Sequence, residues 1–276
     1  MSLFCCPVCG ASFVEENRTL RCANGHCFDR ARQGYVNLLC TQTSSSKRHG
    51  DDRRMVQARQ QFLEGGFYAP LQQEVARIAA AVLPASGALL DAGCGEGYYT
   101  EAVYASALQS GKSPSVAAVD ISKDAAKAVA RRLFPHECAV ASVFSLPVED
   151  HSFDLVLNLF SPCAFQEFWR VLRPGGLLLR VVPLRRHLYG LKAAIYDAPY
   201  ENPEEETSLP GFSLVQRQEL KWTLHLDTSA AIQALFEMTP YFYKTSAADQ
   251  AKAAALSVLD TEVEFGILLE RKDGQK

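Results

Sequence analysis

Cys6-x2-Cys9, twelve intervening residues and then Cys22-x3-His26 constrain the start of this chain more than any other feature. Two cysteines two residues apart can bite one ion from a tight knuckle. A second Cys/His pair, delivered by a returning strand, closes a tetrahedron. Three thiolates and an imidazole favour Zn2+ over hard cations. Pro7 fixes φ after the first cysteine, and Gly10 tolerates positive φ after the second, as a metal-binding turn needs. Reduced or disulfide-bonded thiols are the bland alternative, but four ligands at structural-site spacing in one short segment favour metal. Cys5 and Cys27 flank the set and are left out of it, because Cys5 adjoins a better-spaced ligand and Cys27 shortens no loop usefully. Four protein ligands leave no open position, so the expected zinc is structural.

The remaining composition is that of a globular protein with a sizeable core: 276 residues, 48% hydrophobic and 21% charged. No run approaches the ~18 to 20 apolar residues needed to cross a bilayer. The beginning lacks the basic-then-apolar layout of a signal peptide. Nine cysteines, four of them assigned to metal and the rest scattered, point to a reducing compartment, the cytoplasm by default.

A net charge of −3 argues against nucleic acid until it is resolved along the chain. Residues 1–60 carry Arg18, Arg21, Arg30, Arg32, Lys47, Arg48, Arg53, Arg54 and Arg59 against Glu15, Glu16, Asp29, Asp51 and Asp52. A second basic block holds Arg170, Arg173, Arg180, Arg185, Arg186, His187 and Lys192. Local patches count for phosphate binding more than the total does, although a charge run is usually a solvated face.

Short strands are expected around the metal over 12–37, giving a zinc-binding domain over 1–40. A flexible basic linker follows at 41–54, rich in Ser, Gly, Lys, Arg and Asp, and a larger domain fills 55–276. From Met55 to Leu83 the apolar spacing predicts two helices, broken near Gly65-Gly66 and Pro70. Strands are expected at 88–92, 116–120, 137–141, 153–160 and 177–183, with helices at 98–109 and 123–133. That alternation implies right-handed βαβ crossovers and a mostly parallel, doubly wound sheet. After a Pro-rich acidic stretch the pattern resumes with a strand from Phe212, a helical stretch and a last strand over 261–271.

Leu89-Leu90-Asp91-Ala92-Gly93-Cys94-Gly95-Glu96-Gly97-Tyr98 joins the first of these strands to a helix through alternating glycines. Such a turn bends sharply and lets a ligand approach the backbone, while the helix N-terminus favours negative charge. Dinucleotide enzymes use a similar loop, so glycines alone decide little. Here the pattern is D-x-G-x-G-x-G, and Asp120 closes the next strand, where a carboxylate can hold two ribose hydroxyls.

At these residues, and at Glu167-x2-Arg170-Val171-Leu172-Arg173-Pro174-Gly175-Gly176, the chain resembles the class I S-adenosylmethionine-dependent methyltransferases. The resemblance implies an α/β, Rossmann-like fold. It places Asp91, Gly93, Gly95 and Gly97 at the methionine end of the cofactor and Asp120 at the ribose, with Cys94 and Glu96 also among the cofactor-binding residues. The same resemblance implies that the Ser142–Pro147 turn flanks the adenine, although Ser142 stands near where that family usually has an acid.

A narrower resemblance spans nearly the whole chain. The zinc module, Gly34-Tyr35-Val36-Asn37-Leu38-Leu39, Ala58-Arg59-x2-Phe62-Leu63-x2-Gly66-x-Tyr68-x-Pro70-Leu71, Gly95-Glu96-Gly97-Tyr98-Tyr99-Thr100, Arg186-His187-Leu188 and Met238-Thr239-Pro240 occur in that order. This set is similar to the bacterial large-subunit (23S) rRNA guanine-N1 methyltransferases. Gly190 and Tyr243 depart from it, standing where an acid and a tryptophan are expected. The resemblance implies methyl transfer from S-adenosylmethionine to guanine N1, one structural zinc, large-subunit rRNA as partner, and a homodimer. It also implies that Tyr68 and His187 touch the cofactor.

The residues themselves agree with a ring nitrogen as acceptor. Asn158-Leu159-Phe160-Ser161-Pro162 lacks the Asn/Asp-Pro-Pro-aromatic motif of enzymes that methylate exocyclic amines. Phe160 is either core at a strand end or an aromatic able to stack on an extruded base. Guanine N1 must lose a proton, so a base or an enolate-stabilising donor is required. No spacing marks that base. His187, past the fifth strand, is the first candidate for the pocket, while the catalytic residue stays unassigned. Two alternatives stand: a methyltransferase for small molecules, which leaves the zinc module idle, and a zinc-dependent RNA-binding protein with an inert methyltransferase domain. The expected division of labour has the zinc module and Arg30, Arg32, Lys47, Arg48, Arg53 and Arg54 holding RNA.

Overall fold

Three short antiparallel strands, β1 (Phe13–Glu16), β2 (Thr19–Cys22) and β3 (Cys27–Asp29), open the computed structural model, which describes residues 2–40, 50–204 and 208–274. β4 (Val36–Asn37) follows, then α1 (Arg53–Glu64) and α2 (Ala69–Val82). Asp52 starts α1 by accepting the Met55 N–H at 3.0 Å, and Pro70 sits in the first turn of α2, where its missing N–H costs nothing.

The alternation then runs β5 (Ala88–Ala92), α3 (Tyr98–Gln109), β6 (Ser115–Asp120), α4 (Lys123–Val129), β7 (Glu137–Val140), β8 (Phe153–Leu159), α5 (Phe165–Val171), β9 (Leu172–Pro183) and α6 (Tyr189–Ile195). It closes with β10 (Phe212–Leu226), α7 (Ser229–Glu237), α8 (Ala247–Ala254) and β11 (Leu259–Lys272). The eight-stranded order is β10-β11-β9-β8-β5-β6-β7-β4. β4, β7, β6, β5, β8 and β9 run parallel, and β11 and β10 pair antiparallel at one side. β5 lies between β6 and β8, so successive connections diverge from it and open a crevice beyond its carboxyl end.

Period-2 alternation divides each central strand between two cores. Leu89, Leu155, Leu157, Leu179 and Phe265 face α1, α2, α3 and α7. Leu90, Ala92, Val156 and Leu178 face the other way, toward α5 and the zinc segment. There Phe4, Cys6, Phe13, Leu20 and Cys22 pack in one cluster with the sheet.

The sheet and its helices match the expected doubly wound class, with particular differences. α4 stops at Val129, short of Leu133: the chain leaves the helix, Arg132 reaches back to Glu96 and Glu101, and Phe134 packs on Tyr104. β9 begins at Leu172, because its ladder with β8 steps from Phe153↔Leu172 to Leu155↔Leu177 and Arg173–Gly176 bulge out between. α5 and α6 carried no expectation, and the helical stretch before the last strand is two helices. The expected linker is ordered at its end: Arg53 and Arg54 belong to α1, and Gly50 and Asp51 pack against Ile121 and Ser122 just past β6. Its residues 41–49, with Lys47 and Arg48, lie outside the described residues. β4 joins the edge of the large sheet, pairing Val36↔Ala139 and Asn37↔Val140.

Candidate functional site

The knuckle at Cys6 and Cys9 precedes β1, while Cys22 ends β2 and His26 leads into β3, so two adjacent turns face each other. Cys6 Sγ and Cys22 Sγ lie 3.5 and 3.4 Å from His26 Nδ1, and Cys9 Sγ is 3.7 Å from Cys22 Sγ. All four donor atoms fall within 4.8 Å of one another. Zn–S near 2.3 Å and Zn–N near 2.0 Å in a tetrahedron require edges of about 3.5–3.8 Å, so the donor set fits zinc. Cys5 is tied elsewhere, its amide donating to Pro147 O at 2.8 Å, and exposed Cys27 points to Gly25 O.

Two cavities meet at the crevice. The first, of about 220 Å³, is lined by Asp91, Gly93, Cys94, Gly95, Glu96, Asp120 and Ser142 from the expected set, with Gly50, Asp51, Arg59, Tyr99, Phe144 and Phe160. Gly93 has φ +91°, and a Cβ there would meet Ser161 Cβ at 2.3 Å, so only glycine lets the loop pack on the β8 exit. Asp120 organises the loop from the next strand: Oδ2 accepts Gly95 N–H at 2.9 Å and Oδ1 accepts Ser122 N–H at 2.7 Å.

Asp91 is fully buried. Its Oδ2 accepts from Thr100 Oγ1 at 2.6 Å, while Oδ1 has no hydrogen-bond partner. Burial pushes its carboxyl up to about 7, with Asp120 and Glu96 adding like-charge repulsion. A buried acceptor left over at the foot of a glycine loop suits a cationic amine, and S-adenosylmethionine carries one.

The second cavity, about 430 Å³, shares Arg59, Phe160, Ser161 and Pro162 with the first. It adds Tyr68, Asn158, Arg180, His187, Met238, Tyr241 and Phe265. Phe160 stands at the junction, about half exposed, with φ +58°, a strained value for an aromatic residue. Its ring lies 5.1 Å from that of Phe265 and 6.2 Å from that of Tyr99. His187 is buried, and its Nδ1 accepts Glu264 N–H at 3.3 Å, which assigns the ring proton to Nε2. Burial, helped by Lys192, pushes His187 down to about 3, so the ring is neutral. Tyr68 Oη is buried with no hydrogen-bond partner, and burial raises its pKa far above the ordinary tyrosine range.

The crevice thus gathers the glycine loop, Asp91, Asp120 and Ser142, and puts Tyr68 and His187 in the adjoining cavity. Two expected loop residues point elsewhere. Glu96 turns its carboxylate to Arg132, and Gly97 makes room for Val129, whose Cγ2 a Cβ would meet at 2.6 Å. Gly190, a departure from the family pattern, lies against β11: a Cβ would meet Asp260 O at 2.4 Å, leaving no space for an acidic side chain. Sequence reasoning missed Asp51 and did not give Arg59 a site role, because their meeting in the cavity wall follows no spacing rule.

The second basic block is not a free patch. Arg170 pairs with Glu167 and Asp150, Arg173 with Asp154, Arg185 with Glu201, and Arg186 with Glu262. Arg180 is buried against Glu270, and buried Lys192 donates to Asn202 Oδ1 at 2.6 Å. Near the ribbon, Arg30 is held by Glu15 and Glu137, and Arg54 by Glu237, whereas Arg32 and Arg53 are exposed.

Comparison with known proteins agrees with both halves of this arrangement. A zinc-ribbon family model described as "RlmA, N-terminal" matches residues 4–47, and one described as "Methyltransferase domain" matches residues 90–180. A Streptomyces fradiae protein named 23S rRNA (guanine(748)-N(1))-methyltransferase is 39% identical over 232 residues, 82% of this chain and 80% of its own length. A Bacillus subtilis strain 168 protein, YxjB, bearing a 23S rRNA (guanine-N(1)-)-methyltransferase name, is 31% identical over 98% of both chains. A Micromonospora griseorubida protein with that type of name is 38% identical over 67% of each. None of these relatives favours a small-molecule enzyme or an inert domain. With zinc ligands, cofactor loop and near end-to-end similarity in place, the chain belongs to the zinc-ribbon-containing, S-adenosylmethionine-dependent 23S rRNA (guanine-N1)-methyltransferases.

Proposed function

We propose that this chain methylates N1 of one guanine in large-subunit rRNA, holding the cofactor in the first cavity and the extruded base in the second. The observation that carries the reading is the junction of the two cavities at Phe160–Pro162, where a methyl donor on one side can face an acceptor on the other. When bound, S-adenosylmethionine supplies an electrophilic methyl on a sulfonium leaving group.

In this reading Asp91 holds the cofactor's ammonium, Asp120 its ribose hydroxyls, and the turn at Ser142 flanks its adenine. Cys94, Gly95 and Glu96 contribute backbone to the cradle, and Gly97 shapes the turn behind it. Tyr68 and His187 reach the cofactor only at the transfer end. Phe160 offers its ring to the extruded base, and stacking is a common way to keep such a base in place. His187 is a donor and not a base, since Nδ1 is occupied and the ring is neutral. Its Nε2–H and the Tyr68 hydroxyl are suited to the O6 oxygen, where charge develops as the N1 proton leaves to water. Most of the catalysis is then orientation.

The proposal keeps a division of labour: the zinc segment over 1–40 and the basic residues after it position RNA, and residues 55–276 perform transfer. Of the arginines expected to hold RNA, exposed Arg32 and Arg53 are suited to phosphate, while Arg30 serves the fold instead. We also propose a homodimer acting in the cytoplasm. Among the described residues no helix is long and apolar enough to cross a membrane. Mass mapping of rRNA from a deletion strain tests the function: one N1-methylguanosine should disappear from 23S rRNA and return on complementation. Unchanged 23S rRNA would overturn it.

A further inference from the structure

Three carboxylates face the first cavity, Asp51, Asp91 and Asp120, with Glu96 turned away to Arg132, and among the described lining residues the one cation is Arg59. A methionine end is a zwitterion. Asp91 Oδ1, buried and without a partner, suits its ammonium, and among the described lining residues Arg59 is the one cationic side chain for its carboxylate. Arg59 stands where the two cavities join, and its Nη1 lies 3.9 Å from where a Cβ on Gly95 would project, over the glycine loop.

The guanidinium is already engaged. Nη1 pairs with the Asp51 carboxylate, and Nη2 donates to Met238 O at 3.1 Å. Asp51 belongs to the short strap before α1, which is anchored over the cavity: Ser122 Oγ donates to Asp51 O at 2.5 Å, and Gly50 sits against Ile121. Both partners of the Arg59–Asp51 pair are 26% exposed, so the pair can open toward solvent without unpacking the core.

We infer that Arg59 is the clamp for the cofactor's carboxylate and that Asp51 is an internal stand-in for it, exchanged when the cofactor binds. The inference rests on reading the first cavity as the cofactor site. The exchange replaces one Arg–carboxylate pair by another and releases Asp51 to water, so the Arg59 guanidinium is paired in both states. It also makes the strap ahead of α1 responsive to cofactor occupancy, a link between the segment leading from the zinc ribbon and the cleft.

Calorimetric titration of the full-length, zinc-loaded protein with two probes separates the possibilities. S-adenosylhomocysteine carries the amino-acid end, and 5′-methylthioadenosine keeps the nucleoside and thioether but lacks it. Arg59→Gln should weaken S-adenosylhomocysteine about tenfold or more and leave 5′-methylthioadenosine within about twofold. Retained binding of the second probe shows that the variant has folded. Asp51→Asn should tighten S-adenosylhomocysteine about threefold or more, with no change for 5′-methylthioadenosine. Equal weakening of both probes by Arg59→Gln, or an Asp51→Asn variant that binds S-adenosylhomocysteine no better than wild type, would overturn the clamp. A wild-type protein that binds neither probe would overturn the cofactor site itself.

Discussion

The metal site and the cofactor cavity are built in opposite ways from similar local materials. In the ribbon, two tight turns bring four ligands from a 21-residue stretch to within 4.8 Å of one another, and each donor has its counterparts. In the crevice, residues from several strands converge and leave polar atoms over: Asp91 Oδ1, Tyr68 Oη and Tyr99 Oη are buried without partners. A closed donor set holds a fold together. An open one, with desolvation already incurred, is held ready for a ligand that supplies the missing partners.

The largest effect should come from breaking the closed set. Cys22→Ala is expected to abolish the one zinc per chain measured by metal analysis. Because Cys22, Phe13 and Leu20 pack in one cluster with Leu90 and Val156, the whole chain should lose thermal stability along with the ribbon. Full zinc content in that variant would show that the four ligands have been misassigned.

Breaking the open set should cost binding more than fold. Asp120→Ala removes a carboxylate that orders the glycine loop through Gly95 and Ser122 and is assigned to the ribose. Loss of charge-assisted bonds worth about 1.5–3 kcal/mol corresponds to cofactor affinity weaker by roughly tenfold to a hundredfold. A dissociation constant equal to that of wild type would remove Asp120 from the site.

A pH series sharpens the contrast. Asp91 has its pKa raised from 3.8 to about 7, so the cofactor-free fold carries it protonated in mildly acidic solution. With the folded pKa above the unfolded one, its contribution to stability is greatest below 3.8 and is lost as pH rises toward 7. Cofactor affinity should run the other way, because a bound ammonium favours the ionised carboxylate. Binding should tighten, by up to about tenfold per pH unit, until pH reaches about 7, and then level off. Asp91→Asn should remove this slope; a slope that survives in the variant belongs to another group.

The smallest effects separate paired from exposed arginines beside the ribbon. Arg32→Ala should leave stability and cofactor affinity unchanged while flattening the salt dependence of rRNA binding by about one counterion. Arg30→Ala should instead lower the melting temperature, since Arg30 joins Glu15 to Glu137 of β7. Reversed results would return Arg30 to the RNA surface.

Much of this was legible where a pattern is local. The ligand spacing, the glycine turn after β5 and the strand–helix alternation each lie in a short window, and the structure places them as read. Contacts between windows were not legible. Val36–Asn37 is too short to show any period, so its addition to the large sheet is invisible until β7 is beside it. The second basic block read as a run of charge because its partners lie outside it: Asp150, Asp154 and Glu201 flank it in sequence, while Glu262 and Glu270 arrive from β11, some eighty residues later. Arg59 and Asp51 were counted as charge, when their meeting in the cavity wall is what gives them a role.

The most direct test of the account is methyl transfer by the purified protein to 23S rRNA, read by reverse transcription and nucleoside mass analysis. The account predicts one new reverse-transcription stop at a single guanine, identified as N1-methylguanosine and dependent on S-adenosylmethionine. Methylation at an exocyclic amine or a ribose, or transfer to small metabolites while rRNA stays unmodified, would contradict it.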